Sequence, residues 1–121
     1  MKDRDIIILK KIINYSERIR TTINRFELDF EKFSIDFVVK DAIGMSVLQI
    51  GELAVKLSDE FKSKYNKMPW REIISMRNRA AHDYEEMNIE TLWEIAVTDI
   101  PELKIYCENI LEEIEEHKQL E

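Results

Sequence analysis

The chain has 121 residues, 45% hydrophobic and 36% charged, with a net charge of −7. That length suits one domain, residues 1–121, with a modest core, and two glycines with two prolines are too few for a many-turned β fold. No run of roughly 18 apolar residues is there to cross a membrane, and the charged start MKDRDIIILKK is unlike a signal peptide.

Residues 5–25 repeat apolar side chains at helical spacing: Ile6, Leu9, Ile12, Ile13, Ile19, Ile23 and Phe26. FELDFEKFS breaks that rhythm and reads as a connection, with Ser34 as N-cap of a long second helix over about 35–62. On that helix Val38, Ala42, Met45, Leu48, Leu53 and Leu57 are expected to face the core. Gly44 and Gly51 share a face two turns apart, and Ser58 continues the row, so another backbone approaches there. That backbone belongs either to the same chain or to a second copy across a homodimer seam. KYNKMPW interrupts the pattern, and Pro69 suits the start of a third helix over about 70–82. Asn88 is expected to cap a fourth helix bearing Leu92, Trp93 and Ala96. Asp99 with Glu102 around Pro101 reads as the cap of a fifth helix reaching about 117. The sum is an all-α, up-down bundle of about five helices. Cys107, the single cysteine, fits a reducing cytoplasm and a buried helix position.

Charge is distributed unevenly. Residues 56–82 carry seven basic against three acidic side chains, and residues 83–121 carry two basic against thirteen acidic. Overall acidity excludes charge-driven coating of nucleic acid but leaves room for a local basic site. Arg77, Asn78, Arg79, His82 and Tyr84 cluster at the junction of these regions. On an ideal helix Arg77 and Tyr84 share a face, whereas Arg77 and His82 are offset by ~140°. The pair therefore converges through a long arginine, a frayed turn or a second subunit. Histidine exchanges protons near neutral pH, and arginine grips phosphate oxygens with a planar fork. With the 2′-hydroxyl of RNA as nucleophile, that set suffices for cleavage by internal transesterification. The alternative is a merely solvated charged surface. No metal-ligand spacing and no glycine-rich phosphate loop is visible, so neither a metal nor a cofactor is expected. His117, among glutamates, reads as a solvated tail residue, and Trp70 and Trp93 read as core or interface residues rather than base-stacking platforms.

RNRAAHDY resembles the R-x4-H-x-Y motif of HepT-like proteins, the ribonuclease toxins of MntA/HepT toxin–antitoxin pairs within the HEPN superfamily. LQIGELAVKLS is similar to the family's I-G-E helix. MPWREIISMRNRAAHDY is similar to its P-x-W and R-N…H-D-Y blocks, and LWEIAVTDIPEL to its W…D-x-P-x-L segment. The resemblance implies an all-α HEPN-like homodimer whose cleft unites two copies of the motif. It implies a metal-independent endoribonuclease acting on tRNA or mRNA, the toxin of a type VII pair. Arg77 and His82 would be the catalytic pair and Asn78 a supporting residue. Tyr84 would be the position at which an MntA-like minimal nucleotidyltransferase antitoxin attaches AMP. Glu52 either orients a motif side chain or faces solvent, and Arg79 is an added cation, a phosphate contact or a surface residue. The competing reading is a non-catalytic nucleotide- or partner-binding helical subunit of a nucleotidyltransferase complex.

Overall fold

A computed structural model describes residues 3–75 and 88–120, and every regular element among them is helical. The all-α expectation holds. Helix α1, Asp3–Arg25, begins with Asp3 and Asp5 and ends on Arg25, an order that complements the helix dipole. Leu9, Ile12 and Ile19 on it are buried, while Phe26 lies beyond its end and is exposed. The stretch FELDFEKFS is more than a connection. It holds α2, Phe30–Ile35, capped by Asp29, whose side chain accepts from the Lys32 N–H.

The long second helix begins later than expected and is broken. Ser34 is no cap: it lies inside α2, and its hydroxyl donates to the Glu31 carbonyl. Asp36 caps α3, Phe37–Lys56, by accepting from the Val38 N–H. The helix stops because Leu57 and Ser58 turn extended, with ψ of 140° and 152°, and α4, Asp59–Lys64, starts afresh. Buried Asp5 fixes that corner. One of its oxygens accepts from the Ser58 N–H at 2.9 Å and the other from the Ser58 hydroxyl at 2.7 Å. Ser58 Oγ in turn accepts from the Phe61 N–H.

The core line of α3 is also rotated from the one predicted. Val39, Ile43, Val47, Ile50 and Ala54 are buried, together with the expected Leu53 and Leu57. Val38, Ala42 and Met45 are exposed instead, and Leu48 is half-buried. The helix is apolar around most of its circumference, so spacing alone does not choose the buried side. Gly44 and Gly51 are both buried within the single chain, on a helix that packs most extensively against α1. Close packing inside one chain accounts for them.

Residues 70–75 are helical (α5), and the rest of the predicted span to 82 lies outside the described residues. Asn88 caps α6, Ile89–Glu94, as expected, accepting from the Glu90 and Thr91 N–H groups. Asp99 and Glu102, however, cap no helix among the described residues. A π-helical turn, Ile95–Asp99, leads without interruption into α7, Ile100–Leu120, with the Ile100 N–H bonded to the Ile95 carbonyl. A proline inside an α-helix clashes with the carbonyl four residues earlier. The wider π turn covers that carbonyl before Pro101, so the chain continues and no free helix start is left to cap.

α7 packs on α1. Lys104 bridges the two by pairing with Glu17, and lies 3.6 Å from Glu108. Cys107 is a fully buried free thiol, and burial pushes its pKa up to about 12, with Glu108 adding to the shift.

Candidate functional site

Of the six predicted site residues, only Glu52 is among those the structure describes. Arg77, Asn78, Arg79, His82 and Tyr84 lie outside the described residues. What the structure does give is the frame on either side of that block.

On the entering side the Pro69 carbonyl accepts from the N–H groups of Glu72 and Ile73 at 3.0 and 3.2 Å, starting α5. Trp70 anchors this start. It is buried, its indole N–H donates to the Tyr65 carbonyl at 2.8 Å, and its ring lies 5.9 Å from Phe61 and 6.2 Å from Tyr106. Burial pushes the Tyr106 hydroxyl above its ordinary pKa, with the backbone N–H groups of Lys67 and Met68 pulling the other way. On the leaving side Asn88 fixes the start of α6, and Trp93 packs on Phe33 with ring centres 5.0 Å apart. Both tryptophans therefore pack against the core, as expected, rather than standing clear as stacking platforms. They hold the segments on either side of the 76–87 block against the bundle.

Glu52 is half-buried on α3. By helical spacing it shares a face with Val38 and Met45, opposite the core line of Ile43, Val47, Ile50 and Ala54. Val38 is 59% exposed, Met45 56%, and Phe37 at the start of the helix 70%. Glu52 therefore sits on an outward apolar stripe. The spacing of Ile43, Val47, Ile50 and Ala54 already carried the signal that Val38 and Met45 point away from the core, but the all-round apolarity of α3 hid it.

A groove of about 500 Å³ lies between α5 on one side and α6, the π turn and the start of α7 on the other. Glu72, Glu90, Glu94, Asp99 and Glu102 line it with apolar residues beneath. Burial raises the Asp99 pKa above its ordinary value, and Glu102, Glu94 and Glu72 add to the shift in that order. In sequence Glu72 falls in the basic stretch and the other four in the acidic one, where Asp99 with Glu102 reads as a helix cap. Their convergence depends on how α5 packs beside α6.

Comparison with known proteins decides the family. The model of the family described as HepT-like, "Ribonuclease HepT-like", matches residues 12–110. The chain belongs to the HepT-like ribonuclease family. A Methanocaldococcus jannaschii protein named "Putative RNase MJ0125" is 32% identical over 117 residues, 96% of this chain and 99% of its own. A Caldanaerobacter subterraneus protein named "Putative RNase TTE0752" is 38% identical over 85 residues, 70% of this chain and 76% of its own. "Probable ribonuclease HepT" of Thermococcus cleftensis is 33% identical over 78 residues, 64% of this chain and 71% of its own. No solved structure matches the chain. The HepT-like match takes in α3 with Glu52, both tryptophan anchors and the intervening RNRAAHDY block. Among the described residues, no helix is long and apolar enough to cross a membrane.

Proposed function

We propose that this chain is the toxin of a type VII toxin–antitoxin pair, a metal-independent endoribonuclease that cleaves tRNA or mRNA in the cytoplasm. The observation that carries the reading is the HepT-like family match over residues 12–110, which includes the RNRAAHDY block. In the proposed step His82 takes the proton of a ribose 2′-hydroxyl. The 2′-oxygen attacks the adjacent phosphorus, the bond from phosphorus to the 5′-oxygen breaks, and the leaving oxygen takes up a proton. Arg77 balances the charge that builds on the phosphorane oxygens. The products are a 2′,3′-cyclic phosphate and a 5′-hydroxyl. RNA supplies the nucleophile, so side chains alone suffice for the chemistry. Asn78 supports the pair, Arg79 contacts a neighbouring phosphate, and Glu52 orients a motif side chain from α3.

The working unit in this proposal is a homodimer. Its seam is the outward stripe of α3, an exposed apolar surface of the kind that marks association sites. An MntA-like nucleotidyltransferase would transfer AMP from ATP to the Tyr84 oxygen, releasing pyrophosphate. The added phosphate competes with RNA for Arg77, which shares its face on an ideal helix.

RNA cleavage by purified protein in EDTA tests the core of this reading. His82→Ala is expected to abolish cleavage, and the wild-type products are expected to end in cyclic phosphate. Retained cleavage in that variant removes His82 from the chemistry, and loss of activity in EDTA overturns metal independence. After co-expression with the nucleotidyltransferase, mass spectrometry should find adenylate on Tyr84, and Tyr84→Phe should stay toxic in its presence.

A further inference from the structure

The groove between α5 and the α6–α7 arm has a chemistry that the nuclease reading does not use. Among the described residues, none that lines it belongs to α3. Its floor is apolar, with Ile73, Ile95, Ile100 and Leu103 all buried. Its rim carries Glu72, Glu90, Glu94, Asp99 and Glu102, all exposed, and no lysine or arginine lines it among the described residues. None of the five carboxylates is in an ion pair among the described residues.

This combination excludes two classes of occupant. RNA, a polyanion, meets five like charges and, among the described residues, no counter-charge. A single metal ion needs converging ligands, and among the described residues no group of three or more histidine, cysteine or carboxylate side chains could hold one. The rim charges instead surround an apolar trough. What matches is a ligand with an apolar centre and several positive charges spread around it. The groove's volume is in the range of ordinary binding pockets. We propose that this groove docks a cationic amphipathic peptide segment of a partner protein, with aliphatic side chains on the Ile73–Leu103 floor and lysine or arginine facing the acidic rim. Charge complementarity selects this occupant over an uncharged apolar one, because filling the trough with a neutral segment leaves five carboxylates partly desolvated without partners.

The test uses the full chain and a labelled, amidated probe peptide, RKLLRKLL, with EELLEELL as its charge-reversed control. Fluorescence anisotropy should show binding of the cationic probe that weakens with added salt, and no binding of the acidic one. Methyl NMR shifts should be confined to Ile73, Ile95, Ile100 and Leu103. The triple variant Glu72→Gln, Glu94→Gln, Glu102→Gln removes three exposed rim charges and should weaken binding about tenfold, with cleavage of RNA unchanged. Glu94→Lys alone should weaken it in the same direction if the triple variant folds poorly. Equal binding by the variants, shifts elsewhere on the protein, or binding of an RNA oligonucleotide in the groove overturns the proposal. These readouts do not depend on catalysis, so failure here leaves the nuclease reading intact, and failure of that reading leaves this one standing.

Discussion

At the level of single residues, the clearest local conflict is Glu27. It is the one non-glycine residue among those described with a positive φ, 48°. It follows α1, where the Leu28 N–H reaches the Ile23 carbonyl at 2.9 Å and the Glu27 N–H reaches Asn24 at 3.3 Å. Those two bonds form a Schellman closure, whose left-handed position normally holds glycine. A Cβ there costs about 1 kcal/mol or more. Lys32 Nζ donates to the Glu27 carbonyl at 3.2 Å, a backbone contact that survives substitution. Glu27→Gly is therefore expected to stabilise the fold by about 0.5–1 kcal/mol net of its greater freedom in the unfolded chain. Thermal unfolding should show a Tm rise of ~2–5 °C. Glu27→Ala keeps the Cβ and should show no such rise. This turn was not legible beforehand, because a glutamate carries none of the usual marks of a left-handed position.

At the level of helices, what could be read from sequence depended on whether the deciding partner was near in the chain. Asn88 and Pro69 act on N–H groups and carbonyls within four residues, and both took the expected roles. The break at Leu57–Ser58 depends on Asp5, 53 positions away, so the row of apolar residues through 35–62 looked continuous. The π turn before Pro101 was likewise hidden, because an Asp-x-x-Glu spacing resembles a cap until the preceding helix is seen to run on. For the site, the Arg77–His82 pattern was readable as chemistry but not as geometry. Only the frame, the Trp70 and Trp93 anchors and Glu52, is described by the structure. The α3 stripe gives that frame a testable consequence. If it is the homodimer seam, each substitution acts twice, once per copy. Placing lysine at Val38 or Met45 removes two buried aliphatic side chains and inserts two like charges. The loss is at least ~3 kcal/mol, about a hundredfold in the dimer constant. Light scattering after size exclusion should find Met45→Lys monomeric with unchanged helicity, and RNA cleavage should fall with the dimer. A monomeric wild-type protein, or a dimeric Met45→Lys, would move the seam elsewhere.

For the molecule as a whole, two shifted carboxylates, Asp99 in the π turn and Glu17 on α1, shape how stability depends on pH. Asp99 has a folded-state pKa above its ordinary value, from burial first and then from Glu102, Glu94 and Glu72. Its ionised form is thus disfavoured in the native state, and the native state binds its proton more readily than the unfolded chain does. Stability rises as pH falls through that raised value. Glu17 has the opposite sign. Its hydrogen bond from Lys104, the largest cause, and the charges of Lys104 and Arg20 hold its pKa below the ordinary value. The stability it contributes is present above its unfolded pKa and is lost as pH falls through the lowered folded one. On acidification the two groups therefore act with opposite signs, Asp99 adding stability as it takes up its proton and Glu17 losing it. Asp99→Asn should raise the Tm at neutral pH, where the wild-type carboxylate is charged, and lose that advantage once the wild type is protonated. Glu17→Gln should lower the Tm at neutral pH and converge on the wild type at the acidic end. Lys104, whose pKa is raised by the same bond to Glu17, adds a limit on the alkaline side: its contribution fades as pH rises through its raised value. Calorimetric melts of the three proteins across this pH range would separate the two signs. An Asp99→Asn advantage that persists undiminished at acidic pH would remove Asp99 from the account and leave the acidic groove without its electrostatic cost.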